Sequence, residues 1–364
     1  MARQDKKTQL VVSYLIDYLE KNKFSSNNKL PSENSLSESL AVSRFTVRQA
    51  IDLLCSQGII YKVQGSGTFF NKDNVLKQKI SIKENNADLK IALILQGHDR
   101  KANNDLQLGI KSIFDEKDVY CKSYVTDNKF ANEKNCIETL MYENFDGFIV
   151  DGVKASLLNP NLSLYKKCYD DLNIPIIFYN NYYKELNYPK VIIDGRLAAF
   201  KLTSYLIAMG HEKIAGIFVC DNYQSVEKFH GMYEAMQKHK IHLDDSYIKW
   251  CVSDDAHNDS GFDKNIEKFL QNIPQCTAIV CCNSIIYKLV KLVEKKMGKK
   301  FNIVCMDLSS SEFFNDVTCS LNQGYLIGQL VAKNLLLMIE KKDFKENPAK
   351  YSCILPPQIC YTAY

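Results

Sequence analysis

The chain has 364 residues, of which 46% are hydrophobic, and its 46 Lys and Arg against 42 Asp and Glu give a formal net charge of +4. No apolar run reaches the roughly 20 residues of a membrane span, and the opening MARQDKK is no signal peptide, so we expect a cytoplasmic protein with no membrane contact. The 13 cysteines include no CxxC pair, which favours buried free thiols in a reducing compartment over redox sensing.

Positive charge is concentrated at the N-terminal end. Residues 1–80 contain 12 Lys and Arg against 7 Asp and Glu, a net +5, which leaves −1 for residues 81–364. Basic surface attracts the phosphates that dominate DNA-binding affinity. One copy of so modest a patch is expected to bind weakly, which implies a homodimer.

The stretch LPSENSLSESL, residues 30–40, predicts a short helix. Ser32 precedes Glu33 and is placed to cap the helix N-terminus. Leu36 and Leu40 are four residues apart and share one face. Ala41-Val42-Ser43 then forms a tight connection to the next helix.

A second helix is predicted to begin after Ser43. Its buried stripe is Val47, Ala50, Ile51 and Leu54, which repeat at helical spacing. The basic and hydroxyl side chains lie mostly off that stripe, near the N-terminus, where a recognition helix meets phosphates and base edges. The candidate DNA-binding residues of this helix are Ser43, Arg44, Thr46, Arg48 and Gln49.

A glycine-tipped hairpin follows the second helix. Gly58 is placed as a helix C-cap, residues 59–63 alternate as a strand, and 68–70 return as its partner. Gly65 and Gly67 form the tip and complete the candidate DNA-binding set. Such a wing can reach the minor groove or the DNA backbone.

This pattern resembles the winged helix-turn-helix of the GntR family. The matching motifs are LPSE, VSRxTVRxA at 42–50, LxxxGIIY at 54–61 and QGSGTFF at 64–70. The resemblance implies that Ser43, Arg44, Thr46, Arg48 and Gly65 touch double-stranded operator DNA. Asn34 and Phe45 depart from the family pattern, which often has Arg and a small polar residue at these positions. A winged helix used only for protein contacts is the alternative.

The domain organisation is predicted from a change in sequence character. Residues 1–72 form the winged helix-turn-helix, the polar stretch 73–88 is a linker, and 89–364 form the effector-binding and dimerisation domain.

From residue 89 onwards, short apolar strands alternate with helices. This alternation predicts an α/β fold with parallel sheets covered on both faces, and the length of about 270 residues predicts two lobes. Ligands of such folds bind at the carboxyl ends of the strands, here the cleft between the lobes. The predicted strands are 89–95, 120–125, 148–150, 174–179, 191–193, 213–219, 247–252, 277–282 and 302–306, and the predicted helices are 104–117, 131–143, 162–172, 196–209, 225–240, 261–271, 284–297 and 325–341.

Residues 195–218, GRLAAFKLTSYLIAMGHEKIAGIF, resemble the helix, Gly-His turn and strand of LacI-type effector domains, relatives of periplasmic sugar-binding proteins. The segments 145–165, 174–183 and 216–232 are similar to the arabinose repressors of Gram-positive bacteria, in which a GntR-type head precedes a LacI-type sugar domain. The resemblance implies a type I periplasmic-binding-protein-like domain and a repressor controlled by L-arabinose or a related carbohydrate.

Departures from that family fall on its sugar site. Ser284 follows Asn283 where the family has Asp, Lys228 replaces an Arg, and Asn322-Gln323 replaces a His-Pro pair. Residues 96–103 are also unlike the family sequence. Lys does not reproduce the bidentate contacts of Arg. A non-arabinose ligand such as a phosphosugar, or weakened effector binding, is therefore an open alternative.

The candidate effector-binding residues lie at predicted strand ends. Polar groups with fixed donors and acceptors suit sugar hydroxyls. Asp194 has the alternative of capping the next helix, Asp307 of capping a turn, and Lys154 of being solvated. The full set is Lys154, Tyr182, Asp194, Gln224, Lys228, Asn283 and Asp307.

No motif indicates catalysis or a cofactor. A nucleophile elbow and a P-loop are both missing from the sequence, and His239-x-x-His242 favours a solvated turn over a metal site. We therefore expect a ligand-responsive repressor that is no enzyme, uses no cofactor and binds a pseudo-palindromic operator as a homodimer. The alternatives are a regulator-derived aminotransferase and a periplasmic sugar-binding protein.

Overall fold

A computed structural model describes residues 29–56, 60–63, 66–70, 89–97, 100–254, 262–309 and 317–362, together with six residues between 8 and 18. The chain divides into two compact units, Met1–Ala87 and Asp88–Tyr364. The predicted linker at 73–88 lies outside the described residues.

The first unit contains the two predicted helices. α1 spans Glu33–Leu40 and α2 spans Arg44–Ser56. The Ser32 hydroxyl accepts a hydrogen bond from the Ser35 amide at 3.2 Å, and the Ser43 hydroxyl accepts one from the Thr46 amide at 3.1 Å. Both predicted N-caps are confirmed, because each hydroxyl satisfies an amide that has no partner within its helix.

The predicted hairpin follows α2. β1, Ile60–Val63, pairs antiparallel with β2, Gly67–Phe70. Gly67 has φ +121°, and a Cβ there would stand 2.6 Å from Lys29 Cε, so this position requires glycine. The predicted C-cap Gly58 and the tip residue Gly65 lie outside the described residues.

The first unit has its own hydrophobic core. The predicted α2 stripe is buried and packs with Leu36 of α1, Ile60 of β1 and Leu30. Val11, Val12 and Leu15 join the same cluster. The second helix is therefore held by its apolar face, which leaves its opposite face free of the core.

The second unit consists of two lobes, each built on a six-stranded sheet. The elements of the first lobe are β3 Lys90–Leu95, α3 Arg100–Phe114, β4 Tyr120–Val125, α4 Phe130–Tyr142, β5 Gly147–Val150, α5 Leu162–Lys166, β6 Ile176–Tyr179, β7 Lys190–Ile193, α10 Gly324–Lys341 and β13 Cys353–Leu355. Its sheet has the order β13-β7-β6-β5-β3-β4 and is parallel throughout. Helix α10 packs against α3 and against β5, β6 and β7.

The elements of the second lobe are α6 Gly195–Ala208, β8 Ile214–Val219, α7 Tyr223–Lys238, β9 Ile248–Cys251, α8 Phe262–Asn272, β10 Ala278–Cys281, α9 Ser284–Met297, β11 Asn302–Leu308, β12 Thr318–Leu321 and β14 Ile359–Cys360. Its sheet has the order β14-β12-β11-β10-β8-β9. The strands are parallel except β14, which is antiparallel to β12. Helix α6 packs on α7 and contacts β10, β11 and β12.

The chain passes between the lobes three times, after β7, after β12 and after β13. Each lobe is therefore assembled from separate stretches of sequence. Close packing in the first lobe requires Gly328 of α10, because a Cβ there would stand 2.2 Å from the Leu106 carbonyl oxygen of α3.

The α/β class, the winged helix-turn-helix and the two-lobed parallel architecture are as predicted. The predicted helix at 162–172 is instead α5 followed by a π-helical segment, Lys167–Asp171. The strand β12 and the edge strands β13 and β14 were not predicted, since they are only two to four residues long and lack a long apolar run.

Candidate functional site

The outward face of α2 carries the candidate DNA-binding side chains. Arg44, Arg48 and Gln49 are exposed, as is Ser43 just before the helix. Thr46 is 7% exposed, and its hydroxyl is hydrogen-bonded to that of Ser43 at 2.9 Å. The structure therefore brings four of these residues to the surface, and Thr46 supports the helix cap.

Arg48 is oriented by α1. Its Nε and Nη2 donate to Glu33 Oε2 at 3.3 and 2.9 Å, and this ion pair raises the pKa of Arg48 above its ordinary value. The guanidinium has five donors, so the two bonds to Glu33 leave others unused on a side chain that is 63% exposed. The arrangement places a fixed cation beside the first turns of α2.

The hairpin is tied to the same helix. Lys62 of β1 donates to Asp52 Oδ1 of α2 at 2.8 Å. Gly67 begins β2, at the hairpin tip. The hairpin therefore has a defined position relative to α2, which is the arrangement that a wing needs. The role of Gly65 stays a prediction.

A cavity of about 870 Å³ lies between the two lobes of the second unit. Strand ends of both sheets reach it, as predicted for the cleft. Planar amides, carboxylates and hydroxyls dominate its polar lining. Those polar residues are Gln96, Asn103, Asp127, Asn128, Lys129, Asp151, Tyr179, Asn180, Asn222, Gln224, Ser225, Lys228, Ser253, Asp254, Asn283, Ser284, Asp307 and Asn322.

Asp151 is a buried residue of the cavity lining on the side of the first lobe. It follows β5, is 7% exposed, and accepts hydrogen bonds from Asn180 Nδ2 at 3.2 Å and from the Asn181 amide and Nδ2 at 3.2 and 3.1 Å. Burial outweighs these hydrogen bonds and raises the pKa of Asp151 to about 7. Near neutral pH this side chain can therefore both accept and donate a hydrogen bond.

Tyr179 lies beside Asp151 at the end of β6. It lines the cavity, is 5% exposed, and its hydroxyl is buried without a hydrogen-bond partner. A buried hydroxyl without a partner is energetically unfavourable. A ligand hydroxyl in the cavity would supply the missing partner.

The second lobe contributes an ion pair to the cavity. Lys228 of α7 is 4% exposed, forms a salt bridge with Asp307 of β11, and donates to the Cys282 carbonyl at 2.9 Å. Asp307 has φ +55°. Lys228 is thereby engaged by protein groups, while the other Asp307 oxygen remains available to a ligand.

Two amide side chains flank this ion pair. Gln224 is 6% exposed and lines the cavity. Asn283 also lines it, and its Oδ1 caps α9 by accepting from the Ile286 amide at 2.9 Å, which leaves its Nδ2 for other contacts. Four of the seven predicted effector residues, Gln224, Lys228, Asn283 and Asp307, therefore surround one cavity.

The other three predicted residues are not among those that line the cavity. Asp194 accepts from the Leu197 amide at 2.8 Å and caps α6, as its alternative proposed. Tyr182 packs edge-on against Tyr223 with 4.8 Å between the ring centroids, and Lys190 Nζ lies 4.1 Å from the centroid of the Tyr182 ring. Both side chains are therefore engaged in contacts within the protein.

Lys154 belongs to the rim where the lobes meet. Its ammonium is 3.3 Å from Asp254 and 4.0 Å from Asp221, both in the second lobe. Nearby, the Ser156 hydroxyl donates to the Cys220 carbonyl, and the Gln224 backbone amide donates to Asn181 Oδ1 at 3.4 Å. Polar contacts therefore hold the lobes together along this side of the cavity.

A buried carboxylate supports the rim. Glu133 of α4 is fully buried and accepts from Tyr165 and Tyr183 hydroxyls at 2.7 and 2.5 Å. Asn159 and Asn161 side-chain amides donate to its other oxygen at 2.8 and 2.9 Å. Glu133 thus ties α4 to the segment that follows Lys154.

Sequence reasoning missed Asp151, Tyr179 and Asn180. Each stands at or just after the end of an apolar strand, Phe148–Val150 or Ile176–Tyr179, so the strand-end rule alone was sufficient to find them. The residues chosen after these two strands, Lys154 and Tyr182, each lie three residues further along the chain than Asp151 and Tyr179.

The described part of the chain holds no group of three or more His, Cys, Asp or Glu placed to bind a metal ion, and His239 and His242 are exposed. Its helices include none with the length and apolar character that crossing a membrane requires.

Comparison with known proteins places each unit in a family. Residues 7–70 match the family of bacterial regulatory proteins of the GntR type. Residues 89–336 match the family of periplasmic binding proteins and sugar-binding domains of the LacI type. The second match covers more than half of the chain.

Two curated repressors and one solved structure match most of the chain. The arabinose metabolism transcriptional repressor of Halalkalibacterium halodurans is 30% identical over 74% of this chain and 71% of its own length, and that of Geobacillus stearothermophilus is 29% identical over 75% and 72%. The regulator CcpA of Lactococcus lactis shares the fold, with a TM-score of 0.63 at 19% identity over 75% of this chain and 97% of that one. The chain belongs to the transcriptional repressors that join a GntR-type winged helix-turn-helix to a ligand-binding domain of the LacI type.

Proposed function

We propose that the protein is a homodimeric repressor that releases a pseudo-palindromic operator when L-arabinose or a related neutral sugar binds between the lobes. The observation that carries the proposal is the cavity itself, where Asp307, Gln224 and Asn283 face Asp151 and Tyr179. Sugar hydroxyls need such fixed donors and acceptors. The relatives named for arabinose metabolism support the choice of sugar.

The balance of charge favours a neutral sugar over a phosphosugar. Four carboxylates, Asp127, Asp151, Asp254 and Asp307, line the cavity against the two cations Lys129 and Lys228. Lys228 is already paired with Asp307. A phosphate dianion would therefore meet more negative than positive charge, and no free buried cation is offered to it by the described lining.

The ligand acts through its different affinity for two arrangements of the lobes. We infer that the cavity is a receptor site and performs no catalysis. A regulator-derived aminotransferase needs a lysine free to form a Schiff base, and Lys228, the buried lysine of the cavity lining, is instead held by Asp307 and the Cys282 carbonyl. The same proposal holds that the protein acts in the cytoplasm and binds DNA as a homodimer through its two winged helix-turn-helix units.

The test is fluorescence anisotropy of the full-length protein on DNA from its own upstream region, at fixed moderate salt, with and without L-arabinose. We expect the sugar to release the DNA. Asp307→Asn is expected to bind the DNA normally and to need about tenfold more sugar, because a charged acceptor is lost. Asp343→Asn, at a surface carboxylate paired with Lys350, is the control.

The outcomes separate the parts of the proposal. Tighter DNA binding in the presence of arabinose contradicts release. If arabinose leaves DNA binding unchanged but ribose, xylose or glucose 6-phosphate releases the DNA, the effector is that other sugar and the repressor function stands. An absorbance band beyond that of the aromatic side chains in the purified protein would instead support a cofactor enzyme.

A further inference from the structure

One large apolar side chain is exposed in the middle of the outward face of α2. Phe45 is 71% exposed, whereas Val47, Ala50, Ile51 and Leu54 of the same helix are all at most 2% exposed. At 3.6 residues per turn, Phe45 points roughly 170° away from the centre of that buried stripe. The ring is therefore directed away from the core of its own unit.

The neighbours of Phe45 on this face are the candidate DNA-contacting residues. Arg48 and Gln49 follow it by three and four residues, the spacing at which helical side chains are adjacent. Both are exposed, and Arg48 is held in place by Glu33. An aromatic ring thus stands in the first turns of the helix between polar groups suited to phosphates and base edges.

The major groove presents few apolar groups to such a ring. Among the base edges exposed there, the C5-methyl of thymine is the one that apolar side chains contact, and the N-terminal residues of a recognition helix are those that reach base edges. We propose that Phe45 recognises the methyl group of a thymine in each operator half-site. This inference rests on the proposed binding of DNA by the α2 face.

The test starts from DNA that the full-length protein itself selects from a random pool. Each thymine of the selected site is then replaced singly by deoxyuridine, which removes only the methyl group, and affinity is measured by anisotropy. We expect one thymine per half-site at which the replacement weakens binding about three- to tenfold, the scale of one buried methyl group.

Variants assign that effect to the ring. Phe45→Ala should weaken binding to the thymine site and lose its sensitivity to deoxyuridine at that one position, which is the signature of direct coupling. Phe45→Leu keeps an apolar side chain and should keep the sensitivity. Because the ring is exposed, Phe45→Ala should unfold at the same temperature as the wild type.

Other results overturn the inference. If no deoxyuridine replacement matters, or if Phe45→Ala weakens thymine and deoxyuridine sites equally, Phe45 does not recognise the methyl group. Full DNA binding by Phe45→Ala together with a changed oligomeric state would assign the ring to protein contacts. If no sequence is enriched from the pool, the proposed function is contradicted as well. If a sequence is enriched but shows no dependence on a thymine methyl group, only the inference about Phe45 fails.

Discussion

Lys154 of the first lobe lies 4.0 Å from Asp221 Oδ2 of the second, and that buried carboxylate oxygen has no hydrogen-bond partner. The other Asp221 oxygen accepts from the Ser253 amide and hydroxyl at 2.9 and 2.8 Å. A movement of about 1 Å would complete a hydrogen-bonded ion pair between the lobes. The position of Lys154 is thus sensitive to how far the lobes close.

Lys154→Met is expected to weaken sugar binding about two- to tenfold, because it removes a cation that attracts Asp221 and Asp254 across the closed cleft. Isothermal titration with L-arabinose, or with the sugar that releases the operator, measures the effect. Lys166→Met, at an exposed position on α5, is the control. Equal affinities of the two variants would assign Lys154 no part in closure.

Asp151→Asn is expected to remove part of the pH dependence of stability. The pKa of Asp151 is about 7 in the folded protein against an ordinary 3.8, so between these values the folded state holds a proton that the unfolded state lacks. Stability therefore falls as pH rises through this window, and by on the order of 2–3 kcal/mol from pH 5 to pH 8.

The measurement for Asp151 is urea unfolding of wild type and variant at pH 5 and pH 8. The wild type should lose more stability at pH 8 than Asp151→Asn does. Asp146→Asn, at an exposed carboxylate of the same lobe, should behave as the wild type. Parallel pH profiles of wild type and Asp151→Asn would contradict the raised pKa.

Glu133→Ala is expected to reduce the free energy of unfolding by about 3–5 kcal/mol. The substitution leaves two tyrosine hydroxyls and two asparagine amides buried without their acceptor. Glu133→Gln should lose less, because one acceptor oxygen remains. Urea unfolding followed by circular dichroism measures both, with Glu138→Ala on the same helix as control. A loss no larger than that of the control would show that the network adds little.

Gly328→Ala is expected to destabilise the first lobe by about 1–3 kcal/mol, since its Cβ would stand 2.2 Å from the Leu106 carbonyl and helices α3 and α10 must move apart. Thermal unfolding of the full chain measures the shift. Gly97→Ala is the matched control because nothing lies within 4 Å of its added Cβ. Identical midpoints would mean that the helices adjust without cost.

Local sequence was sufficient for most of the fold. Ser32 and Ser43 mark the starts of their helices by capping chemistry, and short apolar runs such as Ile91–Leu95 favour buried strands by their length. The edge strands β13 and β14 could not be predicted, because they exist through pairing with residues far away in the chain, Val191 and Cys319 among others.

The site was predicted less well than the fold. Lys228 and Asp307 were both among the predicted cleft residues, but their pairing depends on the distance between α7 and β11, which no local pattern encodes. The cavity is lined by Tyr179, three residues before the predicted Tyr182. A strand end predicts which segment reaches a cleft, and backbone geometry decides which of its side chains points into it.

The three passages of the chain between the lobes also bear on how the protein is made. β13 at residues 353–355 borders the sheet of the first lobe, and β14 at 359–360 borders that of the second. During synthesis, neither sheet acquires its last strand until these residues have left the ribosome. A premature stop codon before residue 353 would therefore damage both lobes at once, while leaving the winged helix-turn-helix already synthesised.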